Sequence, residues 1–270
     1  MMPADEIHNL VKKYVNKKHV VLVKRGNDAI KQSLKLAYSL GKRKLLLCDQ
    51  GGWMSYPDFG EKIGFEIIIL KTEDGVLTLQ ELHKHLSSEC ALLINSLAGY
   101  AAPQHMGLIE KLCQSKKAFL ISDATGSIGT VHAHLGDVIF AAFGNDKPLK
   151  INFGKAGFVC FDKDSFLDHF QPYPFSEKEL TEIKTALEKL PERLKFLQQK
   201  RIQILKDFAA MGKKVLFPTA YGINVIVPFD SEQEKKEIIS YCENKKLEYT
   251  LCPREIRVLR NAVSIEVKRL

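Results

Sequence analysis

Short apolar runs separated by segments of helical period fill the first two-thirds of the chain. HVVLVK (19–24), KLLLCD (44–49), FEIIIL (65–70) and ALLIN (91–95) read as strands, being brief and rich in aliphatic residues. AFLISD (118–123), VIFAAF (138–143) and GFVCF (157–161) continue the series. Between them, DAIKQSLKLAYSLG (28–41), a segment near 53–63, LTLQELHKHL (77–86) and GLIEKLCQSKK (107–117) place apolar residues on one helical face. The strand runs show no alternation of polarity, which predicts burial on both faces with helices as the crossovers. The expectation is a three-layer α/β fold: a mostly parallel sheet with helices on both faces. Ligands of such sheets collect at the carboxyl ends of the strands.

The pattern changes at about residue 176. EKELTEIKTALEKLPERLKFLQQKRIQILKDFAAMG is helical, with Pro191 either starting a second helix or kinking one. A strand (YGINVIVPF), a helix (SEQEKKEIISYCENKK) and a last strand (AVSIEV) then predict a small C-terminal α/β lobe. The expected division is a large domain at 1–175, a connecting helical segment at 176–212 and the lobe at 213–270.

Composition narrows the classes. Apolar residues make up 45% and charged residues 27%, ordinary for a globular chain. No apolar run approaches the roughly 20 residues that span a bilayer, and MMPADEIHNLVKK lacks the core of a secretory signal. The expected location is cytoplasmic, without membrane contact. Six cysteines lie scattered with no C-x-x-C pair, so a disulfide framework is not expected. The formal charge of +8 favours anionic ligands. Nucleic acid is not expected as a partner, since no basic stripe interleaved with aromatics occurs. His83/His85 and His132/His134 lack the partners a metal site needs, so no metal is expected.

Four segments at strand ends carry candidate chemistry. Gly26, Asn27 and Asp28 form a strand-to-helix turn whose free N–H groups suit a phosphate, although Gly-Asn-Asp is also an ordinary helix cap. Trp53, the one tryptophan, follows the second strand and suits stacking on a planar ring or simple core packing. Asp123 ends an apolar strand, where an unpaired carboxylate is costly; it either binds something or caps a helix. Lys147 follows the strand 138–143, and partial desolvation there lowers a lysine's pKa and frees its amine.

The order of these segments resembles the fold-type-I pyridoxal-phosphate (PLP) enzymes, and most closely the DegT/DnrJ/EryC1/StrS aminotransferase family, from about residue 24 to 161. The resemblance implies PLP as cofactor. It places the phosphate turn at Arg25, Gly26 and Asn27 with Asp28 following, the ring-stacking aromatic at Trp53 and the partner of the pyridine nitrogen at Asp123. Lys147 takes the place of the Schiff-base lysine, with Phe143 matching the phenylalanine of its motif. Ser96 falls where a polar group often approaches the ring hydroxyl. The implied activity is transfer of an amino group between an amino acid and a keto-type acceptor, a sugar among the candidates. Lys147 acts as the base, and the working unit is a homodimer.

The chain also departs from the family pattern. Ala142 stands in place of a phosphate-binding serine, and Gly126 in place of a glutamine, beside Ser127. Gln171–Phe175 replaces an aromatic and arginine-containing segment, and the C-terminal lobe is short. A lyase or other PLP activity, and a non-catalytic binding or regulatory homologue, therefore stay open. A desulfurase needs a mobile cysteine, which neither Cys113 nor Cys160 resembles.

Overall fold

Every predicted apolar run between residues 19 and 161 becomes a strand of one sheet. The structure is a computed structural model and describes residues 3–270. Helix α1 (Pro3–Val15) precedes strand β1 (His19–Val23), helix α2 (Gly26–Ser39) and strand β2 (Lys44–Cys48). Helix α3 (Tyr56–Ile63), strand β3 (Glu66–Leu70), a ribbon of β4 (Thr72–Glu73) and β5 (Val76–Leu77), and helix α4 (Leu79–His85) follow. Next come β6 (Cys90–Asn95), a ribbon of β7 (Leu97–Ala98) and β8 (Ala102–Pro103), helix α5 (Met106–Ser115) and strand β9 (Phe119–Asp123). Strands β10 (Val138–Phe143) and β11 (Ala156–Phe161) complete the large sheet. Helices α6 (Glu177–Glu188) and α7 (Leu190–Ala210) lead to a lobe of β12 (Val225–Pro228), α8 (Glu232–Asn244), β13 (Tyr249–Cys252) and β14 (Ala262–Ile265).

The large sheet runs β1-β11-β10-β9-β6-β2-β3. From β10 to β3 all neighbours are parallel, whereas β11 lies antiparallel to both β1 and β10. Alternate strand residues serve the two faces. Leu45, Leu93, Ile121 and Phe140 pack with α2 and α3 on one face. On the other, Leu46, Leu92 and Leu120 pack with α4 and α5, and Ile139 and Phe158 with α1 and α6. The expectation of burial on both faces fails at β3. As an edge strand it leaves Ile69 exposed, and only Leu70 is fully buried.

Pro191 occupies the first turn of α7, where its missing N–H costs nothing, so it starts a second helix rather than kinking one. Ser176 and Glu179 close a reciprocal capping box at the start of α6. The lobe's sheet, β12-β14-β13, is antiparallel. Its loop 253–261 lies against the large sheet's strand ends: Gly51 N–H donates to Glu255 O at 2.7 Å, and Leu259 N–H to Gln50 Oε1 at 2.7 Å. Arg260 pairs with Asp74 at 2.6 Å.

Candidate active site

Strands β6 and β9 end side by side while β10 runs on to Phe143, and this edge creates the site. In the sheet register Asn95 of β6 stands beside Asp123 of β9, and Asp123 beside Phe140 of β10. Beyond these ends lies a cavity of about 520 Å³, a size typical of small-molecule sites. Gly26, Asn27, Trp53, Asp123 and Lys147 all line it. The structure thus brings together five of the sequence-predicted residues from four separate strand-to-helix or strand-to-loop junctions.

Two predicted residues lie elsewhere. Asp28 is outside the lining and sits 3.7 Å from Arg25 in an ion pair. Ser96 is fully buried behind the cavity floor, where its hydroxyl donates to Asp123 O at 3.0 Å and lies 2.6 Å from Ser127 Oγ. The polar group that faces the cavity at that strand end is Asn95.

Asp123 is held in one orientation. Tyr56 donates its hydroxyl to Asp123 Oδ2 at 2.5 Å, and the Thr125 N–H donates to Oδ1 at 2.9 Å. Burial raises the carboxyl above its ordinary value, and the bonds from Thr125 and Tyr56 pull the other way. A buried carboxyl so placed is stabilised by any cationic N–H presented from the cavity. Tyr56, at the first turn of α3, also has its hydroxyl pushed well up by burial and then by Asp123.

Lys147 follows β10 in the turn 144–149, where Gly144 N–H bonds Leu149 O at 3.0 Å. Its Nζ lies 3.3 Å from Asp146 Oδ2, 5.7 Å from the centre of the Trp53 ring and 6.0 Å from that of Tyr100. The expected lowering of its pKa is not found. Lys147 is raised above the ordinary lysine value, because the pull of Tyr100, then that of Asp146, outweighs burial. Tyr100 exerts that pull only as a phenolate, and burial raises its own pKa, so near neutrality Asp146 and Asp123 are the anions acting on Lys147.

The helix start at Gly26 offers N–H groups without an intrahelical acceptor, and Arg25 gives no side-chain cap. A Cβ at Gly26 would lie 2.9 Å from Ala142 Cβ, so glycine is what lets α2 approach β10. Thr125 lines the cavity beside the missing serine: its Oγ1 accepts from Ala142 N–H at 3.1 Å. Trp53 Nε1 is buried with no hydrogen-bond partner.

The opposite wall comes from the C-terminal lobe and was not foreseen. Arg257 and Glu266 form a fork-to-fork pair, Nε to Oε1 at 2.7 Å and Nη2 to Oε2 at 2.6 Å, with side chains 2% and 0% exposed. Burial alone would raise the Glu266 carboxyl, but the Arg257 charge and its hydrogen bonds hold it down to about 2. Lys268 lies beside them, also buried. Arg25, Lys147 and Lys155 from around the large sheet, with Arg254, Arg257, Lys268 and Arg269 from around the three-stranded sheet, face only the carboxylates Asp123 and Asp146 in the lining. The cavity therefore attracts anions. No single segment signals this wall, because its residues acquire meaning only through burial.

Cys113 and Cys160 are buried outside the cavity lining, and burial pushes the Cys113 thiol to about 12. Among the described residues no cluster of histidine, cysteine or carboxylates suits a metal ion, and no helix is long and apolar enough to cross a membrane.

Comparison with known proteins places the fold. The chain has the fold of type-I PLP transferases. It is similar to a DegT/DnrJ/EryC1/StrS aminotransferase from Brucella abortus, at TM-score 0.75 and 11% identity over 98% of this chain and 84% of that one. It is similar to alanine–glyoxylate aminotransferase from Nostoc sp., at TM-score 0.74 and 14% identity over 99% and 84%. It also matches NtdA from Bacillus subtilis, solved with bound cofactor PMP, at TM-score 0.72 and 15% identity over 98% and 72%. In sequence, residues 184–270 match the MJ1341 family C-terminal domain. No curated protein sequence matches the chain.

Proposed function

We propose that this protein binds PLP and acts as an aminotransferase, moving an amino group between an amino acid and a keto-type acceptor. The observation that carries the reading is the meeting of Lys147, Asp123 and Trp53 in one anion-attracting cavity at the strand ends. The residues present suit the cofactor's ring nitrogen, ring face and phosphate. Asp123 is a carboxyl whose burial outweighs the bonds from Thr125 and Tyr56 and the pull of Lys147, and a protonated ring nitrogen would offset that burial. Trp53 offers an aromatic face, and the start of α2 with the Thr125 hydroxyl offers donors for a phosphate.

PLP, when bound, supplies an electron sink for negative charge developing beside a substrate's nitrogen. Asp123 keeps the proton on the ring nitrogen, and Tyr56 and Thr125 fix its orientation. The Lys147 amine would hold the cofactor through its aldehyde, and it is the group placed to move the proton at a substrate's α-carbon. We take the unit to be a homodimer.

One observation favours a second reading. Arg257, the buried fork best suited to a substrate carboxylate, is already occupied by Glu266. That suits a PLP-fold protein with lyase or other non-transaminating activity, or one kept for binding. An absorbance spectrum with added PLP separates the cases. A band near the visible edge that is lost in Lys147→Ala and shifts on adding amino acids supports the aminotransferase. A band indifferent to every amine supports the second reading, and no band refutes both.

A further inference from the structure

A substrate amino acid brings a carboxylate into the cavity, and Arg257 is not free to receive it. Both prongs of that fork end on Glu266, at 2.7 and 2.6 Å, and Nη1 donates to Ile256 O at 2.8 Å. Two other residues of the lining present open donors.

Lys268 is the first. It sits in the short turn Val267–Arg269 after β14, with its side chain 1% exposed, and it lines the cavity. Its Nζ donates to Asp146 O at 2.8 Å, which anchors the ammonium. Its other neighbours, Asp146 Oδ2 at 3.7 Å and Glu266 Oε2 at 3.9 Å, lie beyond hydrogen-bond reach. Two of its three N–H groups therefore have no close acceptor among the described residues. Burial, then the Lys147 charge, pulls Lys268 down to about 7, and an anion held beside it offsets both.

Tyr100 is the second. It lines the cavity, and its hydroxyl has no hydrogen-bond partner among the described residues. Burial raises the phenol, so near neutrality it is a donor. Its φ of +64° lies in the left-handed region that a bulky side chain seldom enters. The backbone is fixed there: its N–H donates to Leu97 O at 3.0 Å, and its oxygen accepts from the Ile223 and Asn224 N–H groups at 2.8 and 2.9 Å. A Cβ at Gly126 would lie 2.8 Å from Tyr100 Cδ1, so glycine there leaves room for the ring. Backbone strain of this kind gathers at functional sites. The ring faces Lys268 Nζ at 4.9 Å and Lys147 Nζ at 6.0 Å, and the two amines also share Asp146 Oδ2 as a neighbour.

Resting on the aminotransferase reading above, we propose that Tyr100 and Lys268 together bind the substrate's carboxylate, hydroxyl and ammonium donating to it while Arg257 stays with Glu266. The carboxylate carbon of an amino acid is two bonds from its nitrogen. An amine arriving at Lys147 therefore carries its carboxylate to these neighbouring donors.

Glycine and methylamine test this, since they differ by the carboxylate alone and bring no side chain to be refused. Their dissociation constants are read from the absorbance band of the PLP-loaded protein at pH 8. The preference for glycine, taken as the ratio of the two constants, should fall roughly tenfold or more in Tyr100→Phe and likewise in Lys268→Met, as for a lost hydrogen bond to a charged group. Tyr100→Phe deletes one hydroxyl and keeps the ring's packing. A shifted turn or an altered Lys147 weakens both ligands alike and cancels in the ratio. A ratio unchanged in either variant overturns the proposal, and equal weakening of both ligands marks a structural role and does the same. A wild-type band that glycine leaves unshifted overturns the carboxylate site with PLP binding intact. No band at all overturns the cofactor reading itself.

Discussion

Removing Arg257 should expose how strongly the lobe wall is held together by charge. Arg257→Met leaves Glu266 with Asn224 Nδ2 at 3.0 Å, Ser264 Oγ at 3.2 Å and Lys268 at 3.9 Å, but without its fork. The fall of the Glu266 carboxyl from 4.5 to about 2 corresponds to about 3 kcal/mol, and both side chains are too buried for solvent to screen the pair. Breaking such a pair from one side typically costs about 3–5 kcal/mol, because a buried charge is left behind. Urea unfolding of the cofactor-free protein at pH 7, followed by circular dichroism, should show a loss in that range. Arg257→Met/Glu266→Leu should recover much of it, since no charge remains buried. Because the folded-state pKa of Glu266 is lowered, its contribution is full above about pH 5 and fades as pH falls toward about 2. The gap between wild type and Arg257→Met should therefore narrow between pH 6 and pH 3. A single variant within about 1 kcal/mol of wild type at pH 7 would refute the reasoning, as would a gap indifferent to pH.

Three further outcomes follow from single contacts. Tyr56→Phe deletes a hydrogen bond to a buried carboxylate, worth about 1.5–3 kcal/mol, and lets Asp123 rise further; PLP affinity by absorbance titration should fall about tenfold or more. Gly26→Ala puts a methyl 2.9 Å from Ala142 Cβ and should cost about 1–3 kcal/mol, with Gly26→Ala/Ala142→Gly restoring most of it in denaturant unfolding. Ser176→Ala removes the capping box of α6 and should cost about 1 kcal/mol in thermal melts, leaving PLP affinity unchanged.

The large sheet was legible because its strands are apolar enough to declare themselves without tertiary context. Strand direction was not: HVVLV and AGFVCF read like their parallel neighbours, yet β1 and β11 run antiparallel to the strands they pair with. Helix α1 went unread, since its buried positions Ile7, Val11 and Val15 are spaced among charged residues and find their partner only in α6. Strand β13 was missed because YTLC buries only Cys252 and leaves Leu251 exposed. Within the site, residues that end strands were readable from their position. Tyr56, Arg257, Glu266 and Lys268 were not, because a tyrosine in a helix and charges in a basic tail look like surface until folding encloses them. Lys147 was singled out by its place after β10, but the sign of its pKa shift depended on Tyr100, which only the fold brings to bear.

The cavity's two walls are far apart along the chain, one beginning at Arg25 and the other ending at Arg269. A chain whose large sheet has formed but whose lobe has not yet docked holds only half a binding site. Any anion that touches both walls is thermodynamically linked to docking, since it binds the joined arrangement and not the separated one. Occupancy should thus fuse lobe and sheet into one melting unit, while the empty protein is free to lose the lobe first.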